Sequence, residues 1–225
     1  MMSRIWSIGG RMLGTKVALL LMLATVLLFV LFFSAWLESS MARHMLVQLP
    51  LLVYAGVIAA RLLPARLSAA RFDEYGIVGL AALLFISAYW MVPRALELSL
   101  TSPVSEAAKF ASLLVLGLIL PGSLRRCPWV VQLFFLGNFG AMMAIAGIQY
   151  QNMPQRLCNA YLLDDQGNTG LGLVAGAILI SIAWCMRIAP ALSPTLPTTL
   201  PTTDLHDLPG TEHRLDHQAG PRVLR

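Results

Sequence analysis

Long apolar runs, separated by short polar stretches that hold most of the arginines, set the pattern of this chain. The runs cover residues 17–37, 45–63, 76–92, 107–120, 128–148 and 170–187. A helix needs about 20 mostly apolar residues to cross a hydrocarbon core; the third and fourth runs lie at the short end of that range. No water is present at that depth, so each span must satisfy its own backbone, and helices do so within one segment. The short alternating segments of a closed barrel are absent. The pattern predicts an all-α, polytopic membrane helix bundle of about six transmembrane helices over residues 1–188.

The first run has a basic lead-in, Arg4, Arg11 and Lys16, and Ser40-Met41-Ala42 would serve a signal peptidase. Its apolar stretch exceeds the usual ~7–15 residues of a signal peptide, so an uncleaved signal-anchor helix is expected. Arginine and lysine placement sets the orientation. Arg4, Arg11, Lys16, Arg61, Arg66, Arg71, Arg125 and Arg126 fall on one side, with Arg187 at the exit of the last run. Arg43, Arg94, Lys109 and Arg156 fall in the alternate connections. The N-terminus is therefore placed in the cytoplasm, and an even number of spans returns the C-terminus there. From residue 189 to 225 the composition turns to Pro, Thr, Ser and scattered charges, which bury too little to offset the entropy of ordering. A disordered cytoplasmic tail is expected.

Composition sharpens this. Apolar residues make up 57% of the chain and charged residues 12%, against roughly 25% charged in a soluble domain. The net charge of +5 comes mostly from basic residues beside apolar runs, which is the topology signal and not a nucleic-acid footprint. Membrane lipid is the expected partner, with no nucleic acid. Three cysteines are too few for a disulfide framework. Cys127 and Cys185 fall toward the cytoplasmic side and Cys158 toward the outer side.

Candidate chemistry gathers at the outer edge. Met41, His44, Met45 and Gln48 share one helix face by their spacing. Met91 follows Trp90 at the end of the third run, and Met153 and Cys158 lie in the last outer connection. Thioether, imidazole and thiol are soft ligands that suit copper(I), whereas methionine is also ordinary packing filler. The candidate metal ligands are His44, Met41, Met45, Met91 and Cys158. Within the spans, Asn138 and Gln132 are expected to hydrogen-bond between helices. Gly172 and Gly176, with Gly140 and Ala144, predict close contact between the last two helices. Pro50 predicts a kink, and Asp164 and Asp165 cap the last helix. Trp90, Trp129, Tyr150 and Tyr161 read as interfacial anchors. No catalytic constellation is present in the spans.

Three of these landmarks together resemble the CtaG family of membrane proteins, which assist assembly of cytochrome c oxidase. His44-Met45-Leu46 leading to Leu49-Pro50-Leu51 is similar to the family's His-Met-Leu start of an early helix. Tyr89-Trp90-Met91-Val92-Pro93 is similar to its Trp-His-x-Pro element, with Met91 where the family has histidine. Asp165-Gln166 with Gly170 is similar to its Asp-Gln element before a glycine-bearing last helix. The resemblance spans residues 41–188, and of the family's histidines only His44 carries over. It implies a non-enzymatic, multi-pass protein of the bacterial inner membrane. Such a protein would assist assembly of a haem–copper oxidase, handle copper at the outer face, and have oxidase subunits or other assembly factors as partners. A small-solute or ion transporter and a structural accessory subunit of a membrane complex are the alternatives.

Overall fold

The computed structural model describes residues 2–63, 73–155 and 161–192, and the side chains of 14–63, 73–155 and 161–189. All regular structure among them is helical. In chain order the elements are α1 (Met2–Phe32), α2 (Ser34–Glu38), α3 (Met41–Arg43), a π-helical turn (His44–Gln48) and α4 (Leu49–Leu62). There follow α5 (Ile77–Trp90), α6 (Pro93–Thr101), α7 (Pro103–Arg126), α8 (Trp129–Asn152) and α9 (Leu163–Leu192). The chain is an all-α polytopic helix bundle.

Five segments are long and apolar enough to cross a membrane: Gly14–Phe32, Met41–Leu62, Pro103–Arg126, Trp129–Asn152 and Leu163–Ala189. The predicted third span departs from this. α5 has 14 residues, about 21 Å at 1.5 Å per residue, short of a core about 30 Å thick. It then turns by 74° into α6. The turn falls where Val92 is extended and Pro93 takes the first position of α6, because proline disfavours a helical residue before it. The described residues therefore hold five helices long enough to span and one sharply bent apolar pair, α5 with α6.

Three other boundaries shift. The first span stops at Phe32 and is followed by the one-turn α2, so Leu37 and Glu38 turn inward instead of extending the helix. The fourth run grows into a 24-residue helix that begins at Pro103, which sets Lys109, at the edge of the predicted run and counted with the connection before it, in the second turn of the helix. Lys109 is fully buried, so it drops out of the topological charge count and the bias that orients the chain strengthens. The last helix continues to Leu192; the remainder of the expected tail lies outside the described residues.

Glycines let the spans approach closely. Gly56 of α4 and Gly117 of α7 stand back to back: a β-carbon on Gly56 would lie 2.8 Å from Gly117 Cα and against Leu114 O. The expected contact of the last two helices is present: Gly140 of α8 faces Ala177 and Ser181 of α9, and Gly176 of α9 faces Met143 Cε of α8. The tightest approach is at a further glycine pair. Gly147 of α8 and Gly170 of α9 each face the other's carbonyl oxygen, whereas Gly172 faces Leu46. Small residues have this value in hydrocarbon, where association rests on packing.

The predicted cytoplasmic end is closed by a buried carboxylate. Asp73 accepts the backbone N–H of Val78 at 3.0 Å and the Ser123 hydroxyl, and pairs with Arg126 at 3.3 Å. It thereby fastens the first turn of α5 to the last turns of α7. Gly76 precedes α5 with φ +75°, a conformation that an L side chain rarely adopts. Gln132 donates to the carbonyls of Leu124 and Cys127 at 2.9 and 2.8 Å, capping the end of α7 instead of reaching across the bilayer. Asn138 faces outward, and its amide returns to Phe134 O of its own helix at 2.8 Å. The expectation of interhelical hydrogen bonds holds for Gln132, which joins α8 to the end of α7, and is corrected for Asn138, which bonds within its own helix.

Candidate functional site

At the predicted outer end, the helix that begins at Met41 changes gauge. α3 gives way to the π-helical turn, in which the Leu49 N–H donates to His44 O, and α4 then resumes. Pro50 supplies the reason. It has no N–H for the Leu46 carbonyl, its ring would crowd that oxygen, and a widened turn relieves both. What the sequence presents as a kink is a π turn. Met41, His44, Met45 and Gln48 are all buried, as one shared helix face allows.

That face divides between two environments. His44 and Gln48 meet Lys109 from the second turn of α7. Lys109 Nζ lies 2.7 Å from Glu38 Oε1, 3.2 Å from His44 Nε2 and 3.5 Å from Gln48 Oε1. Gln48 Nε2 donates to Glu38 Oε1 at 3.1 Å, and His44 Nδ1 is 2.9 Å from the Tyr161 hydroxyl. An ammonium can only donate, so Nε2 accepts from it and Nδ1 carries the ring proton toward Tyr161. A buried cation is tolerated only with a close anion and further hydrogen bonds. Here Glu38 of α2 and His44 and Gln48 of the π turn supply them, and Tyr161, two residues before α9, holds the imidazole in place. Cleavage after Ala42 would strip Lys109 of its carboxylate.

Met41 and Met45 go the other way, into an apolar cluster with Leu96, Met143, Tyr150, Tyr161, Leu173 and Ala177; Met91 packs against its edge. Cys158 lies outside the described residues. Three of the residues read as interfacial anchors are buried, and each has a partner for its polar end. Trp90 Nε1 donates to Ser112 Oγ at 3.0 Å, the Tyr150 hydroxyl donates to Met91 O, and Tyr161 meets His44. Trp129 remains exposed. A buried aromatic with a polar tip needs such a partner, which sequence position alone does not reveal.

The start of α9 ties these segments together. Asp165 was expected to cap its own helix; its carboxylate instead accepts the Ser40 hydroxyl at 2.7 Å and the Met41 backbone N–H. It caps α3, 124 positions earlier in the chain. Gln166 donates to Tyr150 O in the last turns of α8 at 3.0 Å. The segments 40–48, 89–96 and 161–166 thus converge at one end of the molecule.

Copper(I) does not fit His44 as folded. Nε2 is engaged by an ammonium, whose charge repels a metal cation, and Nδ1 faces Tyr161. Among the described residues no three His, Cys, Asp or Glu side chains gather as a ligand set. Met45 and Met91 instead line a cavity of about 560 Å³ with Leu49, Trp90, Met143 and Gly176. Ser87 is its one hydroxyl-bearing residue. This apolar volume lies mid-span, between the polar cluster around Lys109 and the one around Asp73, so Asn138 and Gln132 do not join a polar path. Sequence reasoning overlooked Glu38 and Lys109, although a lysine that close to an apolar run is itself a signal of a buried partner. Compared with known proteins, the chain matches no family model, no curated protein and no solved structure.

Proposed function

We propose that the chain is a non-enzymatic, membrane-embedded assembly factor for a haem–copper cytochrome c oxidase, resident in the bacterial inner membrane. The observation that carries this reading is convergence. The three segments that resemble the CtaG family are distant in sequence, yet Asp165 holds Met41, Gln166 holds Tyr150, and Tyr150 holds Met91. Nothing in their spacing requires this, and a shared functional end of the bundle accounts for it. The role does not run through copper on His44; it is contact with an oxidase subunit or another assembly factor at the predicted outer face.

The test is a deletion strain assayed for oxidase activity and for the level of each oxidase subunit. Deletion should lower both, and the wild-type gene should restore them. An Asp165→Ala chain present at equal membrane level should restore them poorly, because the converged end loses its cap. Unchanged oxidase activity on deletion overturns the reading. Solute uptake by proteoliposomes of the purified chain would favour the transporter alternative.

A further inference from the structure

The surroundings of Lys109 have the composition of a metal site. A carboxylate oxygen from α2 and an imidazole nitrogen and an amide oxygen from the two ends of the π turn point at one position. Such mixed nitrogen and oxygen donors suit borderline divalent first-row ions such as Zn²⁺ and Co²⁺. The position is taken by the ε-ammonium, which has no exposure to solvent. We infer that this is a cation site filled by the chain's own lysine, with Glu38, His44 and Gln48 as its ligand set.

Charge and geometry both support this. An ammonium offers three donors and one positive charge, and the three acceptors here account for all three donors. Glu38 supplies the single negative charge, so the cluster is neutral as folded. The lysine stem reaches the position from α7, whereas every acceptor comes from the stretch between residues 38 and 48. The ammonium therefore does what a structural metal does: it fastens a one-turn helix and a π turn to a spanning helix. A metal ion would need its ligands at about 2.0–2.2 Å, closer than they stand round the ammonium. The set must contract once the lysine is removed, and the π turn and the one-turn α2 are the parts able to move.

Lys109→Ala empties the position while leaving all three ligands. The purified variant in detergent should bind Co²⁺ with a visible absorption band. Its melting temperature should rise by about 5 °C or more when Zn²⁺ is present at a hundredfold excess over its dissociation constant. The wild-type chain should show neither effect, and adding His44→Gln to the variant should abolish both. A folded Lys109→Ala chain that binds no Co²⁺ overturns the inference, as does a wild-type chain that binds it through His44. Lys109→His offers a second route, because it keeps a neutral polar group in the gap and adds a ligand; it should bind Co²⁺ more tightly than Lys109→Ala. If neither variant accumulates in membranes, even from zinc-supplemented cells, a metal does not replace the ammonium and the inference fails. This outcome is independent of the oxidase assay, since it reads only the chain's own affinity for an ion.

Discussion

Glu38 and Lys109 lie 71 positions apart in sequence, and their side chains meet at 2.7 Å. The lysine has no solvent exposure and the glutamate keeps 16% of its own. Breaking a buried ion pair from one side costs about 3–5 kcal/mol, because the remaining charge is stranded. Removal of Glu38 strands a lysine without solvent exposure and so falls toward the upper end, while removal of Lys109 leaves a carboxylate that still reaches water. Glu38→Gln should therefore lower the melting temperature in detergent more than Lys109→Met does. The pair of substitutions together should recover part of the loss. Equal stability of Glu38→Gln and wild type would mean that the pair is not closed in the membrane.

The crossing of α4 and α7 rests on two glycines. Replacing a helical glycine by alanine ordinarily favours the helix by about 1 kcal/mol. At Gly56 the new methyl would meet backbone atoms of Leu114 and Gly117, which cannot swing aside as a side chain can. Gly56→Ala should destabilise by about 1–3 kcal/mol, read as a lower melting temperature and reduced membrane level. Gly176→Ala is the control, because the only neighbour within reach is the flexible end of Met143. A larger loss at Gly176 than at Gly56 would contradict the packing described.

Cys127 tests the closed cytoplasmic end. Burial, and then the Asp73 carboxylate beside it, push its thiol above the ordinary value. Raising the pKa favours the protonated, unreactive form, so the thiolate is scarce at neutral pH and grows only as pH climbs past the usual thiol range. In a chain with Cys158 and Cys185 replaced by serine, maleimide should label Cys127 slowly at neutral pH when folded and rapidly once unfolded. Asp73→Asn should speed labelling of Cys127. Fast labelling of Cys127 at pH 7 in the folded chain would mean that this end is open.

Orientation is tested by single cysteines in a cysteine-free chain. A membrane-impermeant reagent applied from outside should reach a probe at Gln155 and miss one at Glu74. The opposite result would invert the bundle and move the Lys109 cluster to the cytoplasmic face.

The sequence alone determined the class of this molecule. Uninterrupted apolar runs leave a backbone no option in hydrocarbon except the helix, and the sites of those runs follow from residue type. One buried face for Met41, His44, Met45 and Gln48 was legible for the same reason, since helical periodicity is local. The tertiary structure decided the partners. Whether Asp165 caps its own helix or α3, which glycines meet, and whether Lys109 lies in a loop or at the centre of a polar cluster depend on how the spans pack. The same is true of His44, whose spacing with Met41 and Met45 suggested a soft metal site. Packing turned its ring toward Lys109 and Tyr161 instead, because a buried ammonium needs acceptors and the imidazole was within reach.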